Sequence, residues 1–140
     1  MTNNQARAKA RIEIKDTFKV AGLIDGHSMT AAQLNSETRP AFWRGVVRDP
    51  TAKAKEHYAR WAISSSRAHT RNDDKTSLRE LTIAIDLFSK RSFDSEQAHK
   101  MLDAVEGAFT SAGFELELLD EQYEDDTKLW HQPLTLIKIY

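Results

Sequence analysis

Apolar and polar positions alternate along this chain in two ways, one with the 3.6-residue period of a helix and one with the two-residue period of a half-buried strand. Residues 4 to 21 are rich in Ala, Arg and Lys, place Ala10, Ile14, Phe18 and Ala21 on one stripe, and are followed by Gly22. This predicts a helix with one face against a core or a partner, stopped by a residue that tolerates the left-handed conformation. Beyond it the periodicity is lost. LIDGHS reads as a turn, TAAQLN as a short helix, and Pro40 and Pro50 bracket the apolar run FWRGVV. We expect an irregular segment over about residues 23–55 that orders on assembly, with Phe42 and Trp43 as anchors in a core or an interface.

From residue 57 to the end the pattern is regular. HYARWAISSS reads as a strand, and RNDDKTS after it as a polar turn. In RELTIAIDLFSK, Leu81, Ile83, Ile85 and Leu87 alternate with Thr82, Ala84, Asp86 and Phe88, so the two segments predict a long antiparallel hairpin with one face buried. Asp94 and Gln97 are spaced as a capping box, after which Ala98, Met101, Leu102, Val105, Phe109 and Ala112 form a helical stripe ended by Gly113. FELELL, with Phe114, Leu116 and Leu118 inward, and PLTLIKIY complete the order strand, strand, helix, strand, strand. The expected fold is α+β, an antiparallel or mixed sheet carrying a long helix and the N-terminal helix.

A chain of 140 residues suits one domain, here residues 1–140, and no run is long and apolar enough to span a bilayer. The start lacks the features of a secretory leader, and the chain has no cysteine, so we expect a soluble protein of a reducing compartment, without disulfide, thiol nucleophile or cysteine-rich zinc site. The net charge of −1 hides a division. Residues 1–76 carry 14 Lys/Arg and 8 Asp/Glu, a net +6, whereas residues 77–140 carry 6 and 13, a net −7. Complementary fields of this kind favour head-to-tail contact between subunits. Within the basic part Arg7, Arg11, Lys15 and Lys19 recur every four residues as a ridge on the first helix. That ridge, Trp43, and Arg71, Asp73, Asp74 and Lys75 in the hairpin turn are the candidate interaction residues.

Catalytic signatures are lacking. The five histidines, at 27, 57, 69, 99 and 131, include no pair that one helix would present to zinc, and the five glycines form no phosphate-binding loop. No serine sits in a glycine-flanked elbow. The acidic run Asp120, Glu121, Glu124, Asp125 and Asp126, with Asp86, is the one set that a metal-dependent nuclease would use, and it lacks the alternation and glycine of a calcium loop. We therefore expect no catalytic residue, no metal and no cofactor.

The last 85 or so residues, with YARWAI, the RNDDK tip, ELTIAIDLFSK, a capped helix and AGFELELLDEQYEDDTKLWHQPLTLIKIY, resemble the small tail-completion, or tail-terminator, proteins of long-tailed bacteriophages and related neck and head-tail joining proteins. Tyr123 to Thr127, then Trp130 and His131, carry the likeness. The resemblance implies a non-enzymatic subunit of a ring, commonly a hexamer, that caps the tail tube, meets the head connector and belongs to the virion after assembly in the host cytoplasm. Its partners would be other copies of itself, the tail-tube protein and head-connector proteins; a membrane is not implied, and DNA only as it passes through the ring.

Overall fold

Thr2 opens the chain with a capping box: its hydroxyl accepts the Gln5 N–H at 3.2 Å, and the Gln5 side chain accepts the Thr2 N–H at 2.9 Å. Two first-turn donors that no helix carbonyl reaches are thereby satisfied. In the computed structural model of the protein, which describes residues 1–45, 56–68 and 78–140, this cap starts helix α1, Asn3–Val20. It buries Ala6, Ala10, Ile14, Thr17 and Phe18, the predicted stripe extended by one turn. A second long helix, α3, spans Glu96–Ser111 and buries Ala98, Met101, Leu102, Val105 and Phe109, as its period predicts. Both helices close alike. Gly22 and Gly113 each take φ of 91°, and the next residue's N–H returns to the helix, Leu23 to the Phe18 carbonyl and Phe114 to that of Phe109. Only glycine adopts that backbone at no steric cost.

The start of α3 departs from expectation. Ser95, not Asp94, is the N-cap, and it makes no side-chain cap bond. The approach is set from outside the helix: the Glu121 carboxylate accepts the Phe93 N–H at 2.6 Å, and Phe93 is buried. With the chain held there, Asp94 is exposed and its N–H bonds the Ser92 hydroxyl.

A mixed seven-stranded sheet lies against these helices, so the fold is α+β. Its strands are β1 Ile24–Asp25, β2 Ala41–Arg44, β3 His57–Ala68, β4 Arg79–Ser89, β5 Glu115–Leu118, β6 Gln122–Glu124 and β7 Leu129–Ile139. In space the order is β1-β2-β3-β4-β7-β5, with β6 also on β7. The hairpin β3–β4 is antiparallel, from His57↔Ser89 to Ala68↔Arg79, with one register shift between Ile63 and Ser65. The final strand β7 enters between β4 and β5.

Residues 23–45 correct the expectation of an irregular segment. They form β1, a 3-10 turn Gly26–Ser28, a short helix α2 Ala31–Ser36 with its own Thr30/Gln33 capping box, and β2. Both strands pair in parallel, Ile24 opposite Ala41 and Ala41 opposite Tyr58. Order here is reached within one chain. The remainder of that segment, residues 46–55, lies outside the described residues.

The sheet buries apolar side chains on both faces. Against α1 and α3 lie Phe42, Trp61, Leu81, Ile83, Ile85, Leu87, Leu134 and Leu136. On the opposite face a smaller cluster gathers Ile24, Leu34, Ala41, Trp43, Tyr58, Phe88 and Leu129. Lys138, near the end of β7, ties the layers together: its ammonium donates to the Glu13 carboxylate of α1 and, at 2.7 Å, to the Ala112 carbonyl at the end of α3. A cation suits that helix end, where unpaired carbonyls carry partial negative charge. The Tyr140 hydroxyl beside it is raised above its ordinary pKa by burial and then by the negative charge of Glu13. Leu118, expected inward, is instead 43 % exposed. β5 is the edge strand, and burial fades along it from Phe114 to Leu118.

Candidate functional site

Period-two alternation places Tyr58, Phe88 and His131 on the face of the sheet away from α1 and α3, and pairing aligns them across three strands. Their rings stack. Tyr58 and Phe88 lie 4.8 Å apart and Phe88 and His131 4.6 Å apart, and Trp43 meets Tyr58 edge-on at 6.1 Å. Next along the strands, Asp86 accepts from Arg60 Nε at 3.1 Å through one oxygen and lies 2.5 Å from His131 Nε2 through the other. The Arg60 guanidinium covers the Phe88 ring at 5.0 Å. Arg60, Asp86 and His131 are distant in sequence, and only the pairing of β3, β4 and β7 unites them.

Burial pushes the Asp86 carboxyl up, but the hydrogen bonds from His131 and Arg60 and their positive charge outweigh it and hold it below its ordinary value. A carboxylate of this kind stabilises the fold at neutral pH, and the contribution is lost as pH falls below about 4 through the lowered folded-state value. The Asp86→Asn variant is expected to lose about 1 to 2 kcal/mol at pH 7, a charged hydrogen bond discounted for the partial exposure of Arg60. It should also show a shallower loss of stability between about pH 4 and pH 2 than the parent. Urea titrations of both proteins across that range check both parts; equal stability at pH 7 would show that the pair does not hold the sheet. His57 adds a separate effect at milder pH. Burial outweighs the charge of Glu56, and Arg91 adds to it, so the imidazole pKa is lowered and stability falls as pH drops below about 6.5.

Residues thus engaged are arranged as structure. Asp86, the carboxylate that a metal-dependent nuclease would have to use, is committed to Arg60 and His131. Among the described residues no three His, Asp or Glu side chains are placed to hold a metal ion. Nor is any helix among them long and apolar enough to cross a membrane.

The basic ridge is present on α1. Helix geometry turns Arg7, Arg11, Lys15 and Lys19 to one flank, while Lys9, Ile12, Glu13, Asp16, Thr17 and Val20 line an open groove of about 540 Å³ against α3 on the other. Both acids of α1 are therefore on the groove side. Among the described residues none of the four ridge cations takes part in an ion pair. Their recorded bonds are local, from Arg7 Nε to the Asn3 side chain and from Arg11 Nε to the Arg7 carbonyl. Trp43 is 5 % exposed, within the second apolar cluster and against Gly26. It anchors this chain's own core. Arg71, Asp73, Asp74 and Lys75 lie outside the described residues.

The acidic run lies at the far edge of the sheet, on β5, β6 and the turns beside them. Residues 115–128 carry seven carboxylates and one lysine. Among them stand three exposed apolar side chains, Leu118 and Leu119 at 43 % and Tyr123 at 47 %. The alternation of FELELL marked Leu118 as inward, and no period in the sequence places Leu119 or Tyr123.

Neither a family model nor a curated protein matches this chain. A chain from a structure titled "Virion of native gene transfer agent (GTA) particle" is similar at 12 % identity and a TM-score of 0.41, the likeness covering 86 % of this chain and 96 % of that one. That degree of likeness is too distant to transfer a role.

Proposed function

We propose that this protein is a structural subunit of a phage-type particle: a ring-forming tail-terminator, or tail-completion, subunit that caps the tail tube and joins it to the head connector. A head-tail connector or neck protein is the neighbouring reading within the same class. The observation that carries the proposal is the separation of charge in the fold: four cations on one flank of α1, none of them in an ion pair among the described residues and the last of them, Lys19, beside β1, and seven carboxylates over residues 115–128 at the far edge of the sheet. A subunit with complementary surfaces at opposite ends repeats by rotation, and rotation that closes gives a ring. The sequence resemblance to tail-completion proteins supports reading that ring as a tail terminator. In this reading the protein resides in the virion after assembly in the host cytoplasm, and DNA passes only through the lumen.

Light scattering of the purified protein over a concentration series, at low and at high salt, tests it together with co-sedimentation on assembled tail tubes. We expect a closed oligomer of about six copies, weakened by salt because exposed charges are screened, and binding to tube ends. A strict monomer under all conditions that also ignores tail tubes would remove the proposal.

A further inference from the structure

The hairpin of β3 and β4 ends at its base on the pair His57↔Ser89, and the two side chains meet there, His57 Nδ1 lying 2.8 Å from the Ser89 hydroxyl oxygen. Period-two alternation turns Ser89 toward the helices, two residues past Leu87, and it has no exposed surface. Its oxygen also accepts the Arg91 N–H at 3.0 Å. A hydroxyl has one proton to donate, and a buried one is costly to leave without an acceptor. With Arg91 donating to the oxygen, the Ser89 proton goes to the acceptor placed beside it, His57 Nδ1. The imidazole is thereby fixed as the neutral tautomer that carries its proton on Nε2.

The same few residues close the turn after β4. The Lys90 N–H donates to the Glu56 carbonyl at 3.0 Å, and Arg91 Nε donates to the Glu56 carboxylate at 2.9 Å. Protonation of His57 at Nδ1 sets two N–H donors on the Ser89 oxygen and leaves the hydroxyl proton buried without a partner. Among the described residues the charges acting on the ring are those of Glu56 and Arg91, and across from Ser89 on β7 stands the uncharged Trp130. Burial disfavours the imidazolium more than Glu56 favours it, and Arg91 adds to the cost.

We propose that His57 and Ser89 form a proton-operated latch: the neutral imidazole closes the base of the β3–β4 hairpin, and its protonation releases the turn Ser89–Arg91. The imidazole charges more readily once released, so the latch is closed above the ordinary histidine pKa of about 6.5 and opens as pH falls below it. The chain set free leads directly to Ser92 and Phe93, the two residues that hold Glu121. Proton uptake at the start of β3 therefore reaches the acidic stretch at the far edge of the sheet. The latch does not depend on the ring reading of the protein.

Amide hydrogen exchange tests it, with rates corrected for the pH dependence of exchange in a free peptide. The Lys90 and Arg91 amides should lose about tenfold in protection between about pH 7.5 and about pH 5, the worth of one hydrogen bond. In His57→Gln the side-chain carbonyl still accepts from Ser89 and does not titrate, so protection should be the same at both pH values. Ser89→Ala removes the acceptor of the Arg91 N–H and should show the lower protection at that amide throughout. Nitrogen chemical shifts of His57 in the parent should report the Nε2–H tautomer at neutral pH, a reading that needs no variant to fold. Equal protection of the two amides at both pH values, an equal loss in His57→Gln, or an Nδ1–H tautomer overturns the latch.

Discussion

Replacing Phe109 with alanine is expected to lower folding stability by about 3 to 5 kcal/mol, the cost of deleting a large aromatic side chain from a packed core. Phe109 has no exposed surface and stands where three elements meet. Its ring is edge-on to Phe18 of α1 at 5.0 Å and to Phe114, just before β5, at 5.3 Å, while Phe18 stacks on Phe42 of β2 at 4.7 Å. A void there removes contacts from both helices at once, and neither can shift without leaving the sheet. Leu102→Ala should cost less, about 2 to 3 kcal/mol, because Leu102 retains 7 % exposure at the edge of the same core. Urea unfolding at constant m-value gives both numbers. A loss below about 1 kcal/mol for Phe109→Ala would mean that the site collapses around the missing ring and is not fixed by this packing.

The second large effect is expected at Gly26, for the opposite reason. A Cβ added there would lie 2.1 Å from Trp43 Cε2 and 2.4 Å from its Nε1, so Gly26→Ala overpacks the second cluster and should cost about 1 to 3 kcal/mol. Shrinking the neighbour should relieve it. Trp43→Phe alone leaves a gap, but in the double variant the added methyl occupies part of that gap, and the two effects should sum to less than their separate costs by about 1 kcal/mol. Thermal or urea melts of the four proteins of this cycle supply the coupling. Strict additivity would show that Gly26 and Trp43 do not share space. Because Trp43 acts inside its own chain, Trp43→Phe should alter stability and leave salt-dependent assembly unchanged at concentrations where the variant is folded.

What the sequence alone established is what repeats over ten or more residues. The stripes of α1 and α3, the alternation of β4 and the two helix-ending glycines are local, because a period or a φ angle is decided by neighbours along the chain. Such signals placed the helices, the hairpin and the α+β class, and counting charges exposed the basic and acidic halves. They also found the ridge of Arg7, Arg11, Lys15 and Lys19, since four cations at one spacing share a flank of any helix.

Tertiary structure decided the rest. β1 and β2 have two and four residues, too few to display a period, and they exist because β3 offers a free parallel edge for β2 to join. Trp43 could be read only as an anchor of a core or of an interface, because an aromatic residue in a broken segment has no local pattern to place it; α2 and the second face of the sheet bury it. The start of α3 moved because Glu121, 28 positions from Phe93, holds the approach to the helix. Arg60, Asp86 and His131 meet only through strand pairing. The charge separation became an arrangement in space for one topological reason. β7, last in the chain, enters between β4 and β5, where Leu134 and Leu136 are buried at the centre of the sheet. That insertion leaves the acidic strands at the outer edge, the one opposite β1, because the interior positions go to the strand with the most apolar surface to bury.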